Sequence, residues 1–201
     1  GNPFPWPLWS WPKPVALVKK RACEWNIDSE RIMVCGFSAG GHLAACLGMM
    51  WNREFLYAPL NAAPEDIQPK GMILCYPVIT SGEFGHKRSF EQLLGGKAGD
   101  PRLRELVSLE LQAGPHTPRT FLWHTWTDQS VPVENSLLLA QALKKAGRKH
   151  GNAHLSQRTP RTVPGYGGGF RQHRRLPCAS LSGLDGTGKR MDKRKGQGMI
   201  C

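Results

Sequence analysis

A chain of 201 residues can form one domain with a substantial buried core. Its net charge of +12 points to nucleic acid or an acidic membrane only if it is spread over the fold, and it is not: residues 1–147 carry 15 Lys/Arg against 13 Asp/Glu, residues 148–201 carry 12 against 2. No apolar run approaches the ~20 residues of a membrane span, and the six cysteines form no C-x-x-C pair or metal-ligand spacing, so neither metal nor cofactor is expected.

The first 14 residues, GNPFPWPLWSWPKP, hold five prolines and three tryptophans and show neither helical nor strand period. Proline at this density argues against a helix there. Val15 to Trp25 then reads as an amphipathic helix with Val15, Leu17, Val18, Ala22 and Trp25 available for a buried face. Asn26-Ile27-Asp28 is a turn, and Arg31 to Cys35 has strand character.

That strand runs straight into Gly36-Phe37-Ser38-Ala39-Gly40-Gly41, followed by a small-residue helix pattern through Ala44, Ala45 and Leu47 to about Met50. Strand, tight turn and helix with a serine at the apex is the context that turns a common G-x-S-x-G pattern into a nucleophile elbow. Gly36 and Gly40, two positions to either side of the serine, are expected to supply the missing β-carbons that the turn requires. The helix beginning at Ala39 directs unpaired amides at the space in front of Ser38, where an oxyanion would develop.

A loop over 58–69 leads to a second apolar strand, 71–79, which reads as a central strand of a parallel sheet buried on both faces. Short helices are expected at 89–94 and 101–111, a third strand at 120–125, and a helix over 132–147 with Lys144 and Lys145 in its last turn and Gly147 as its cap. Cys35 and Cys75 fall in core strands, where a thiol behaves as a small hydrophobe; a reduced, cytoplasmic setting follows as the simplest expectation.

Four segments resemble one family: EWNIDSERIMVCGFSAGGHLAA, GMILCYPVIT with SGEFGHKRSFEQLLG, SLELQAGPHTPRTFLWHTWTDQSVP, and ENSLLLAQALKKAG. Together they resemble the α/β-hydrolases of the bacterial esterase/lipase group, in particular its acetyl-esterase and acetylxylan- or feruloyl-esterase-like members. The resemblance spans Val15 to Gly147, with nothing matching outside it. It implies an α/β fold, a mostly parallel sheet with flanking helices, and hydrolysis of short-chain, acetyl-type esters through an acyl-enzyme, on a small-molecule or carbohydrate ester, with no cofactor. Ser38 would be the nucleophile, Ala39 the residue whose amide forms half the oxyanion hole, and Asp128, in its D-x-x-V-P setting after an apolar strand, the acid that orients the base. Asp128 also reads as plain turn chemistry.

The family order places the histidine after the aspartate, but His42, His86, His116 and His124 precede Asp128 and read as packing, loop or strand residues. No HGG loop precedes Ser38. A chain that opens on Gly1 suggests a fragment, and residues 148–201 read as a basic, low-complexity tail expected to be disordered. Read one base later, Gln157 to Tyr166 can encode Arg-Glu-Pro-His-Gly-Leu-Ser-Leu-Gly-Thr, and Leu8 to Pro14, shifted by two, Ala-Val-Glu-Leu-Ala-Glu-Ala, the helix that the resemblance implies there, so frame slips at both ends are an expectation. The chain as written is then an impaired esterase. The competing reading is a non-catalytic α/β fragment whose tail binds nucleic acid or acidic surfaces; with only Tyr166 and Phe170 among the charges, the tail offers few stacking platforms, and nucleic acid is not the expected partner.

Overall fold

A computed structural model describes residues 11–147 of the chain, together with the strand segments 153–156 and 199–200. The irregular start, most of the basic tail and its frame-slip reading lie outside these residues. The order is α1 (Pro12–Lys20), β1 (Met33–Phe37), α2 (Ser38–Met50), the single turns α3 (Glu54–Tyr57) and α4 (Pro64–Ile67), β2 (Gly71–Cys75), α5 (Lys87–Leu94), α6 (Pro101–Val107), β3 (Arg119–Thr125), α7 (Glu134–Lys145), β4 (Ala153–Ser156) and β5 (Met199–Ile200).

The strands form one sheet of order β4-β3-β2-β1-β5, all pairs parallel. In the register, Val34 lies opposite Met72 and Met72 opposite Thr120, so the residues of each row share a face. The connections α2 and α7 step in one direction across the sheet, and right-handed crossovers put both on the same face. There Val34, Leu74, Leu122 and His124 are buried, under Ala44, Leu47, Leu139 and Leu143. Gly48 permits the close contact of α2 with β2: a β-carbon there would lie 2.1 Å from the Met72 sulfur.

Four expectations are corrected. Helix α1 begins at Pro12, three residues before the expected Val15, because Pro12 and Pro14 occupy its first turn, where no intrahelical N–H partner is needed. Of the face expected from Val15 to Trp25, Val15 and Ala22 are buried but Leu17 and Trp25 stay 48% and 43% exposed: Leu17 lies two residues from Val15, on the opposite side of the helix, and Trp25 lies past the helix end at Lys20. Finally, β2 is not covered on both faces by the described residues. Ile73 and Cys75 are only half-buried, and beside them Phe37 and Phe121 are 49% and 37% exposed. β2 also ends at Cys75 rather than at 79, since Tyr76 takes a left-handed φ of 37°.

Beyond Gly147 the strands β4 and β5 extend the sheet at its two edges. Ala153–Ser156 adopts strand structure in the sequence as written. No helix among the described residues is long and apolar enough to cross a membrane.

Candidate active site

β1 delivers Phe37 in extended conformation (φ −123°, ψ 138°), and the next residue, Ser38, has φ 51° at the first position of α2. A serine in the left-handed region costs on the order of 1 to 3 kcal/mol and persists only where surrounding contacts over-determine it. They do so from both sides. A β-carbon on Gly36 would sit 2.3 Å from the Gly40 carbonyl oxygen, and one on Gly41 would sit 2.8 Å from the Pro77 β-carbon. Gly40, by contrast, has open space around it, so the second essential glycine is Gly41 rather than the Gly40 of the G-x-S-x-G pattern. Across the turn, the Val78 N–H donates to the Ser38 carbonyl at 3.1 Å.

Ser38 thus stands half-buried at the carboxyl end of β1, with Ala39 exposed beside it at the N-terminus of α2. The amides of the first helical turn have no intrahelical acceptor and point to this end of the sheet. Asp128 lies beyond the carboxyl end of β3, with β2 alone between the two strands, so both residues gather at the same, central end of the sheet. Functional groups of open parallel sheets collect there.

Asp128 is a turn residue in the structure. One carboxylate oxygen, Oδ1, accepts from the amides of Ser130 (2.9 Å) and Val131 (3.0 Å), which is turn chemistry. The other, Oδ2, lies 3.8 Å from Nε2 of the fully buried His124. His124 is no ion-pair partner. Burial holds its pKa below the usual histidine range, outweighing the opposing pull of the Val131 carbonyl and Asp128. The neutral ring gives its Nε2–H to the Val131 carbonyl at 2.9 Å and accepts the Ser136 hydroxyl at Nδ1, at 2.7 Å. It therefore holds the 128–131 turn in place.

His42, His86 and His116 each have one ring nitrogen in a hydrogen bond. His116 Nε2 meets the Met49 carbonyl at 2.7 Å, and His86 Nδ1 the Ser89 hydroxyl at 2.8 Å. His42 is buried on α2, where its Nδ1–H donates to the Val78 carbonyl at 3.0 Å; desolvation pushes its pKa down to about 4. This bears out the packing reading of His42, and none of His42, His86, His116 and His124 hydrogen-bonds to Ser38. Among the described residues no cluster of ligands could hold a metal ion.

One residue the sequence did not single out is Asn135, wholly buried at the start of α7. Its side-chain oxygen accepts from the amides of Ile79 (2.8 Å) and Thr80 (3.1 Å), and its nitrogen donates to the carbonyls of Phe84 (2.8 Å) and Pro132 (3.0 Å). It fastens the loop after β2 to the Asp128 side of the site. In the sequence it occupies an apolar position of the helical period, and a polar residue there was the available signal.

Beside Ala39 lies a cleft of about 180 Å³, walled by His42, Leu43, Val78, Phe90 and Leu93 with Ser89 and Gln92 at its edge. A larger hollow of about 500 Å³, between α1 and the 60–66 segment, lies away from Ser38 and is lined by lysines and carboxylates.

A parallel sheet crossed by helices, with a serine held at positive φ between strand and helix, defines an α/β-hydrolase. The chain belongs to the BD-FAE family, whose model matches residues 3–143, so the match begins well before the Val15 expected from the sequence. It is 39% identical over 145 residues to endo-1,4-beta-xylanase B of Butyrivibrio fibrisolvens, covering 69% of this chain and 22% of that protein. It is 33% identical over 138 residues to an acetylxylan esterase of Xylanibacter ruminicola, covering 66% and 26%. Among solved structures, an acetyl ester-xyloside bifunctional hydrolase from Caldicellulosiruptor lactoaceticus superposes with a TM-score of 0.69 at 41% identity, over 78% of this chain and 57% of that one. The chain spans about a quarter of the length of these curated relatives and a little over half of the solved one.

Proposed function

We propose that this chain is the nucleophile-bearing part of a serine esterase that acts on short-chain, acetyl-type esters of carbohydrates or small molecules. The observation that carries the reading is Ser38 at φ 51°, held between Gly36, Gly41 and Val78 at the carboxyl end of the sheet. The names of the acetylxylan esterase and the acetyl ester-xyloside hydrolase support the acetyl and carbohydrate parts of it.

In this reading Ser38 Oγ attacks the ester carbonyl, and its proton passes to a histidine and then to the departing alcohol. The acyl-serine is then hydrolysed by water. The Ala39 amide holds the oxyanion. Asp128, with Oδ1 held by two amides, turns Oδ2 to the base. None of His42, His86, His116 and His124 hydrogen-bonds to Ser38, and in this reading the 201-residue chain is nearly inert. Removing the base from a triad costs on the order of a millionfold in kcat, and a missing oxyanion donor about 3 kcal/mol more.

The test is hydrolysis of 4-nitrophenyl acetate with active-site titration by a fluorophosphonate. The 201-residue chain should differ little from its Ser38→Ala variant. Fusion to the complementary segments of the xyloside hydrolase should give turnover that Ser38→Ala abolishes and Asp128→Asn lowers by orders of magnitude. Turnover by the fusion that survives Ser38→Ala would overturn the assignment. Turnover of ~1 per second or faster by the unfused chain, lost in Ser38→Ala, would instead show that a histidine after Gly147 serves, with His154 and His173 the first to replace.

A further inference from the structure

His42, in the wall of the cleft beside Ala39, carries a polar atom that no step of this reaction uses. Nε2 of His42 is buried and has no hydrogen-bond partner. Its tautomer is fixed, because Nδ1 faces the Val78 carbonyl and must carry the proton. Nε2 is therefore a bare acceptor, and with a pKa of about 4 it remains one at neutral pH. A buried acceptor without a donor is destabilising, and such exceptions in folded proteins call for an explanation. His42 is 4% exposed and belongs to the wall of the cleft, whose other members are mostly apolar.

We propose that this cleft is a subsite for a compact, uncharged, hydroxyl-bearing group whose O–H donates to His42 Nε2. Leu43, Val78, Phe90 and Leu93 supply the apolar walls, which disfavour a charged ligand by desolvation. A volume of about 180 Å³ gives room for a small hydroxylated ring or branched chain. Phe90 stands edge-on to the imidazole at 5.4 Å and takes part in covering it, so its ring turns aside as the ligand enters. Where Ser38 and Ala39 act as proposed above, the group would be the hydroxylated part of the ester being cleaved; that identification rests on the esterase reading, and the binding itself does not.

The test uses the 201-residue chain labelled with ¹⁵N-histidine and two probes of equal size, cyclopentanol and methylcyclopentane. Cyclopentanol should bind at least tenfold more tightly and move the His42 Nε2 resonance upfield, as an imine-type nitrogen does on accepting a hydrogen bond; methylcyclopentane should leave it in place. His42→Phe should remove the preference while methylcyclopentane still binds. Leu43→Trp, which leaves the His42–Val78 bond intact, should weaken both probes. Equal affinity for the two probes, an unmoved Nε2 resonance, or a preference that persists in His42→Phe each overturns the subsite. Should His42→Phe fail to fold, the resonance and Leu43→Trp decide alone. Neither probe is an ester, so an inert chain still answers, and ester turnover by the fusion without hydroxyl preference would remove the subsite and keep the esterase.

Discussion

His42 links burial to acid sensitivity. Its folded-state pKa of about 4 lies below the ordinary 6.5, so between these values the unfolded chain binds the proton and the folded chain does not. Stability is therefore unaffected above pH 6.5, falls as the pH drops below it, and levels off near 4. The full loss is on the order of 3 kcal/mol. His124, also depressed by burial, acts in the same direction. Urea unfolding at pH 7, 6 and 5 should show the decline, and His42→Phe should flatten it while lowering stability at pH 7. A chain equally stable at pH 7 and 5 would mean that these rings are not held neutral. The elbow gives a second contrast. Gly36→Ala drives a β-carbon into the Gly40 carbonyl and should cost about 3 kcal/mol. Gly40→Ala meets nothing and should be neutral or stabilising by up to ~1 kcal/mol, alanine being the better helix former. The two midpoints in urea moving alike would contradict the crowding described at Ser38.

Between elements, the loop after β2 is the vulnerable joint, because its amides at Ile79 and Thr80 depend on a side chain more than 50 residues away. Asn135→Leu leaves those buried donors unpaired and should cost about 3 to 5 kcal/mol. Hydrogen exchange at 79 and 80 should accelerate well before exchange in β3. What sequence could and could not reveal divides along the same line. β1 with the elbow, and β3 with the helix that follows, were legible because their apolar period, turn glycines and caps lie within a few residues of one another. The helix start at Pro12 was not, since a proline that breaks a helix interior is harmless in its first turn. Gly41, Val78 and Asn135 were missed for one reason: each owes its importance to a partner distant in the chain, Pro77 for Gly41, Ser38 and His42 for Val78, and the 79–84 loop for Asn135.

Taken together, the described residues form a sheet with one face packed under α2 and α7 and the other carrying Phe37, Ile73, Cys75, Phe121 and Trp123 only partly covered. Contiguous apolar surface of this kind promotes association. The 201-residue chain should sediment as concentration-dependent oligomers and enhance the fluorescence of an anilinonaphthalene dye. Phe121→Lys should reduce both without costing more than about 1 kcal/mol, its side chain being already part-exposed. A monodisperse monomer that leaves the dye dark would mean that this face is covered. Acidic and basic residues nearly balance over 1–147, so net charge on the body offers little repulsion against such contact.

The Val78 backbone touches the first turn of α2 twice, donating to the Ser38 carbonyl and accepting from His42. The serine's conformation is thus imposed from outside its own segment. G-x-S-x-G is consequently not portable. A peptide covering residues 29–52 holds every letter of the motif and should relax Ser38 to negative φ, visible in its amide–α-proton coupling. The strain that would make the serine a nucleophile is a tertiary property, present only once β2 has docked beside β1.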